Sequence, residues 1–308
     1  MSLPYCIAAL YKFAPVSDPS TLRASLRERL NDPSLCGSLL IASEGLNGTL
    51  AGSEAAIDGA IKTLRAIPGF GDLDVKISRA RRRPFRKLKI RLKAEIVTMG
   101  MPDADPNKVV GTYVVPADWN TLISDPDTVV IDTRNDYEVK IGTFEGAINP
   151  ETLTFGAFPY WFKDSFGDRP PKRVAMFCTG GIRCEKATSF VKQMGIDEVY
   201  HLKGGILKYL ETVAEDDSLW RGDCFVFDER VAVGHGLVPA NIGLCRACKY
   251  PVTARDMAHP AYERGVSCAR CIDHTTAEQK DRFRERQRQM TLAKERGTPH
   301  LTGYEPID

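Results

Sequence analysis

The chain has 308 residues, of which 43% are apolar and 27% charged, and its 42 basic and 40 acidic side chains leave a net charge of +2. That length predicts two or three domains, and the composition is ordinary for soluble globular protein. No run approaches the roughly 18 to 20 apolar residues of a membrane span, and the opening "MSLPYCIAALYKFAP" reads as a strand without a basic leader region; nine cysteines, an odd number, do not suggest a compact disulfide framework, so a cytoplasmic protein is expected.

The first segment, about Tyr5 to Leu92, reads as β-α-β-β-α-β. "YCIAALYKF" is an apolar strand, and Ser20 to Leu30 is helical with Asp18 or Ser20 as N-cap. "GSLLIAS" and "NGTLAG" are strands joined through Glu44-Gly45-Leu46, Glu54 to Leu64 is a helix capped by Ser53, and "DLDVKIS" is the last strand. This order predicts a ferredoxin-like split βαβ unit over residues 1–97.

Arg79, Arg81, Arg82, Arg83, Arg86, Lys87, Lys89, Arg91 and Lys93 then follow one another with no acid before Glu95. A block of like charge repels itself and waits for an anionic partner, and Phe85 interleaves an aromatic, so RNA is favoured here over a solvated linker. Pro102 to Asn107 reads as a linker. Strands alternating with helical stretches predict a doubly wound α/β domain over residues 108–223, whose ligands lie at the carboxyl ends of the strands.

The run "MFCTGGIRCEKA", Met176 to Ala187, carries the most chemistry. An apolar strand ends at Cys178, a Gly-Gly turn follows, and a helix begins. Glycine lets Gly180 and Gly181 curl the backbone, and the helix N-terminus adds unpaired donors. The amides of Thr179, Gly180, Gly181 and Ile182, with Arg183, form a cradle for an anion at the Cys178 sulfur, whose thiol is expected to ionise readily. An inert buried cysteine needs none of these features. Asp132 and Arg134, at the end of the neighbouring strand "VVIDTRNDYE", are expected to organise the loop. Cys184 is a candidate resolving thiol, with a helix-buried cysteine as the alternative.

Residues 224–275 present "CRAC" and "CARC". Two C-x2-C knuckles at this spacing predict a zinc-ribbon-like site of Cys245, Cys248, Cys268 and Cys271, structural because four thiolates leave no open position. His235, His259 and His274 lie nearby and read as packing or surface. The tail, 276–308, is a charged helix or disordered arm, with seven basic and three acidic residues from Lys280 to Arg296.

Cysteine phosphatases space their cysteine and arginine by five residues; here four residues separate Cys178 from Arg183, which resembles the six-residue loop of rhodanese sulfurtransferases. "VVIDTRNDYE", "GTFEGAINP" (with Thr143 where a histidine is usual) and "VYHLKGGI" resemble the same domain. Together with "SEGLNGT" (Ser43 to Thr49), "FDERVAVGHGL" and the paired knuckles, the chain resembles the TrhO/YceA family of rhodanese-domain tRNA uridine hydroxylases. The resemblance implies a tRNA substrate, O2 as co-substrate, oxidation of the wobble uridine to 5-hydroxyuridine, and Cys178 as the required cysteine. No residue pattern identifies an electron donor, and no DNA partner is expected. The loop chemistry fits a persulfide sulfurtransferase equally well. A non-enzymatic RNA-binding module that senses oxidants is the third reading; the intact pair Cys178 and Arg183 argues against it.

Overall fold

The computed structural model describes residues 4–80, 83–228 and 230–296. Arg81, Arg82 and the end of the charged tail lie outside the described residues. The chain divides into two compact units, Met1–Asn135 with Gly146–Tyr209, and Asp136–Glu145 with Leu210–Asp308.

The first unit opens with β1 (Tyr5–Phe13), α1 (Pro19–Arg29), β2 (Cys36–Ala42), β3 (Gly45–Gly52), α2 (Glu54–Arg65), β4 (Asp74–Ala80) and β5 (Leu88–Leu92). Asp18 is the cap of α1, its carboxylate accepting the N–H groups of Ser20 and Thr21 at 3.0 Å, and Ser53 caps α2 through the Ala56 N–H. The sheet runs β4-β1-β3-β2-β5. Its first four strands are the split βαβ pattern, with β3 antiparallel between β1 and β2. Cys6, Ala8 and Leu10 of β1 join Leu26, Leu39, Ile57 and Leu64 in the core beneath the helices.

The fifth strand comes from the middle of the basic block. Residues 87–93 read Lys-Leu-Lys-Ile-Arg-Leu-Lys, a strict alternation. Leu88, Ile90 and Leu92 pack on the helix-side core, so Lys87, Lys89, Arg91 and Lys93 point the other way, and all four are exposed. β5 pairs in parallel with β2, Ser38 opposite Lys89 and Leu40 opposite Arg91. Cations of the block also find partners within the fold: Arg79 pairs with Glu54 at 3.0 Å, and Arg83 donates to the Pro33 and Leu35 carbonyls at 3.1 and 3.4 Å.

The same unit continues with β6 (Thr112–Val114), α3 (Pro116–Ile123) and β7 (Thr128–Asp132). Two short elements that follow, α4 (Asp136–Val139) and β8 (Gly142–Phe144), belong to the second unit. Then come α5 (Phe158–Phe166), β9 (Arg173–Phe177), α6 (Ile182–Gln193), β10 (Glu198–Leu202) and α7 (Gly205–Thr212). β6, β10, β9 and β7 form a parallel sheet in that order. Val174 and Met176 of β9 pack with Phe158 and Phe162 of α5 and Val191 of α6, while Phe177 meets Trp119 of α3 edge-on at 6.3 Å. Alternate residues of β9 thus bury against different helices, the signature of a parallel sheet covered on both faces.

In the second unit, β8 pairs with β11 (Trp220–Gly222), and β12 (Cys224–Phe225) pairs with β13 (Ala232–Val233). β14 (Gly243–Leu244) and β15 (Pro251–Val252) flank the first cysteine knuckle, and α8 (Ala254–Met257) follows with a Thr253–Asp256 capping box. The tail forms α9 over Ala277–Glu295, where the sequence left helix and disordered arm open.

Candidate active site

β9 delivers Cys178 to the carboxyl end of the central parallel strand, where its side chain is fully buried. The Gly181 N–H donates to the Cys178 sulfur at 3.1 Å. Arg183, in the first turn of α6, is buried and donates to the Thr179 hydroxyl at 3.3 Å. Burial alone would push the Cys178 thiol up. The Cys184 thiol, the Arg183 charge and the Cys184 and Gly181 amides outweigh it, and the pKa falls to about 5. Cys184 goes the other way: burial and the neighbouring Cys178 charge hold its pKa well above the usual range. It therefore stays a thiol, positioned to donate to the anion, and its sulfur lies 3.6 Å from the Thr133 hydroxyl.

The loop is fixed by its carbonyls. The N-terminus of α7 binds the Cys178 and Thr179 carbonyls through the Ile206 and Leu207 N–H groups at 3.0 and 3.1 Å. Gly205 permits this approach; a Cβ there would lie 2.5 Å from the Cys178 carbonyl oxygen, at a φ of +67°. Asp132 and Arg134 form a buried pair at 2.6 Å at the end of β7. Between them Thr133, which the sequence did not single out, donates its N–H and hydroxyl to the Phe177 carbonyl, both at 3.0 Å. The turn thus anchors the residue just before Cys178.

The N-terminal domain also reaches the loop. Lys76 of β4 donates to the Gly180 and Gly204 carbonyls at 2.8 and 2.5 Å. The Tyr11 hydroxyl of β1 donates to Glu185 of α6 at 2.9 Å. It lies 2.7 Å from where a Cβ on Gly181 would sit, so that position excludes any larger residue. Lys186 of α6, buried, pairs with Glu44 at 2.8 Å and with Glu95. Glu44 also accepts the Ile96 N–H at 2.6 Å, and Asn47 donates to the Ile96 carbonyl at 2.8 Å. The "SEGLNGT" turn is therefore a clasp between the two domains of this unit. Glu185 and Lys186 stood beside Cys184 in the sequence motif, but their partners lie 72 to 174 positions away, and nothing local reveals them.

The four knuckle cysteines come together as expected. Their sulfurs lie within 4.8 Å of one another, with closest approaches of 3.7 Å for Cys248–Cys268, 3.8 Å for Cys268–Cys271 and 3.9 Å for Cys245–Cys271. A tetrahedron with metal–sulfur bonds of about 2.3 Å has edges of roughly 3.8 Å. The set could hold a metal ion, and it consists of cysteines alone.

Comparison with known proteins matches a UPF0176 acylphosphatase-like domain over residues 5–96 and a rhodanese-like domain over residues 115–212. A tRNA uridine(34) hydroxylase of Brucella suis is 56% identical over 296 residues, covering 96% of this chain and 97% of that protein. The chain belongs to the tRNA uridine(34) hydroxylase family. Proteins of that name from Rhizobium leguminosarum and Agrobacterium fabrum are each 55% identical, covering 97% and 96% of this chain and 96% and 95% of their own lengths. The family fits the domain pair described here: an N-terminal split βαβ sheet clasped to a rhodanese loop that favours a buried thiolate.

Proposed function

We propose that this chain hydroxylates the wobble uridine of tRNA at C5, with Cys178 as the reaction centre. The observation that carries the reading is identity above 50% along nearly the whole length with tRNA uridine(34) hydroxylases. The replacement of C5–H by C5–OH takes one oxygen atom from O2; the other leaves as water with two electrons and two protons from a reductant. The Cys178 anion, as thiolate or persulfide, is held by the amides of the Thr179–Ile182 loop and by Arg183, with Cys184 as a donor. Asp132, Thr133 and Arg134 fix the strand end behind it.

The basic side of the N-terminal sheet is proposed as the tRNA platform. Paired residues share a face, so the register Lys76–Ala9–Thr49–Ser38–Lys89 and its neighbour Asp74–Tyr11–Asn47–Leu40–Arg91 cross the sheet from the Cys178 loop to β5. Four strand spacings make that path roughly 19 Å. Lys87, Lys89, Arg91 and Lys93 would hold phosphates while a single-stranded anticodon base meets the loop. Arg83 and Arg86 add positive charge beside it: with Lys87 and Arg27 they line a groove of about 670 Å³. Zinc, as a structural ion, is the metal that four clustered thiols favour in a cytoplasmic protein.

Nucleoside mass spectrometry of tRNA from cells with and without the gene tests the function. Loss of 5-hydroxyuridine derivatives supports hydroxylation. Loss of a thiolated nucleoside would select the sulfurtransferase instead, and an unchanged nucleoside profile would select the RNA-binding redox sensor.

A further inference from the structure

Glu185 is a half-buried carboxyl that the reading above leaves without a task. It follows Cys184 in the first turn of α6, its N–H bonded to the Gly181 carbonyl at 3.3 Å. Its side chain meets two phenols, Tyr11 of the N-terminal sheet at 2.9 Å and Tyr113 of β6, and among the described residues it has no cation in ion-pair contact. The Tyr11 hydroxyl in turn stands over Gly181, whose N–H holds the Cys178 sulfur. The hydrogen-bonded pair of Glu185 and Tyr11 therefore sits against the loop that carries the anion, close enough for the Cys178 charge to act on Tyr11.

We propose that Glu185 is a further functional residue of the hydroxylating site: it stores a proton beside the Cys178 anion and delivers it through the Tyr11 hydroxyl. In the step, the Glu185 O–H bond breaks as its proton passes to the Tyr11 oxygen, and Tyr11 releases its own proton to an anion at the loop. Glu185 ends as a carboxylate, the anion ends neutral, and Tyr11 is unchanged.

The surroundings suit that task. Burial, and next to it the Cys178 and Asp74 charges, oppose ionisation of Glu185, while the two tyrosines oppose them; the pKa rises to about 7. The other groups around it do not compete near neutrality. Tyr11 is raised well above its usual value by burial and Glu185, and Tyr113 likewise. His201 of β10, packed on Tyr113 at 4.1 Å, is pushed down to about 4 by burial and stays neutral. Cys184 remains a thiol. Lys76 and Arg183 supply fixed positive charge at the loop, Lys76 on the Gly180 carbonyl and Arg183 on Thr179. Between about pH 5 and 7, Cys178 is thus the anion and Glu185 the acid.

The proposal rests on Cys178 as the reaction centre, and the test separates the two. The Cys178 peptide of the full chain is followed by mass spectrometry after timed alkylation with iodoacetamide from pH 4 to 9. Wild-type protein should show two steps, thiolate formation near 5 and a further rise near 7 as Glu185 ionises. That second rise should be about threefold per unit of added thiol basicity. Glu185→Gln should keep the first step and lose the second; Tyr11→Phe, which removes a donor to the carboxylate, should move the second step to higher pH. In cells lacking the gene, both variants should lower 5-hydroxyuridine in tRNA by about a hundredfold or more, and Glu185→Gln should do so with tRNA affinity by filter binding unchanged. A single step in wild type, both steps retained in Glu185→Gln, or normal 5-hydroxyuridine with that variant overturns the proton role. Full activity of Cys178→Ser, with the two-step alkylation profile of the wild type intact, would instead overturn only the reading of Cys178.

Discussion

The two cysteine centres of this protein show how neighbours decide what a thiol does. Cys178 stands at a strand end, where amides, a thiol and an arginine converge on one sulfur, so a single anion is stabilised. Cys245, Cys248, Cys268 and Cys271 stand together within 4.8 Å, where the group as a whole suits a cation. The first centre is built by distant segments of chain; the second is built by two short knuckles that carry their own geometry. Substitutions should therefore fail differently in the two places.

The largest effect is expected at the cluster. If it holds zinc, the ion supplies on the order of 10 kcal/mol toward folding the knuckle region. Metal analysis of reduced protein should find one zinc per chain, and Cys268→Ser or a strong chelator should abolish it and expose the region to proteolysis. Well under one zinc in undamaged wild-type protein would break the comparison.

The next effect lies at the clasp behind Cys178. Lys186→Met leaves Glu44 and Glu95 without their shared cation, and stripping one partner from a buried ion pair costs about 3 kcal/mol or more, read by urea unfolding. The pH dependence has a definite sign. Burial raises the Glu95 pKa, but Lys186 and the Met99 and Gly100 amides win, so the folded value is below the usual 4.5. The contribution is fully present above that unfolded value and is lost as pH falls through the folded one. Lys186→Met should flatten this part of the acid limb; an unchanged slope would remove Lys186 from the account.

These two centres were also unequally legible. The knuckles could be read outright, because two-residue spacers place both sulfurs of each on one ion. The loop from Cys178 to Arg183 was legible for a similar reason, as its strand, turn and helix are contiguous. Tyr11, Glu44, Lys76 and Glu95 were not, since only the docked sheet brings them to α6. β5 was hidden differently: nine positive charges drew attention from the alternation of Leu88, Ile90 and Leu92 within them. The caps Asp18 and Ser53 made the two N-terminal helices plain, whereas the two-residue strands of the second unit leave no periodicity to read.

A smaller change sharpens the anion side of the comparison. Arg183→Lys keeps the charge but loses the planar fork. The Cys178 pKa should rise from about 5, and 5-hydroxyuridine formation should drop by about tenfold, the equivalent of roughly 1.4 kcal/mol. Identical alkylation profiles at Cys178 in the two proteins would take Arg183 out of the cradle. Smallest per residue is the sheet face. Reversing Lys87, Lys89, Arg91 and Lys93 to glutamate should weaken all tRNAs alike, and the log–log salt slope should fall by roughly 0.7 to 0.9 for each phosphate that the protein no longer neutralises. The fold should persist, since all four are exposed; unchanged affinity and slope in the folded variant would sink the platform.

The most direct measurement is 5-hydroxyuridine in tRNA from cells lacking the gene and carrying either wild-type protein or Cys178→Ser at equal abundance. A serine hydroxyl ionises far less readily than this thiol and cannot form a persulfide. The account predicts full restoration by wild type and none by the serine variant, a loss on the order of a thousandfold or more, as for removal of a catalytic nucleophile. Restoration by Cys178→Ser would contradict it.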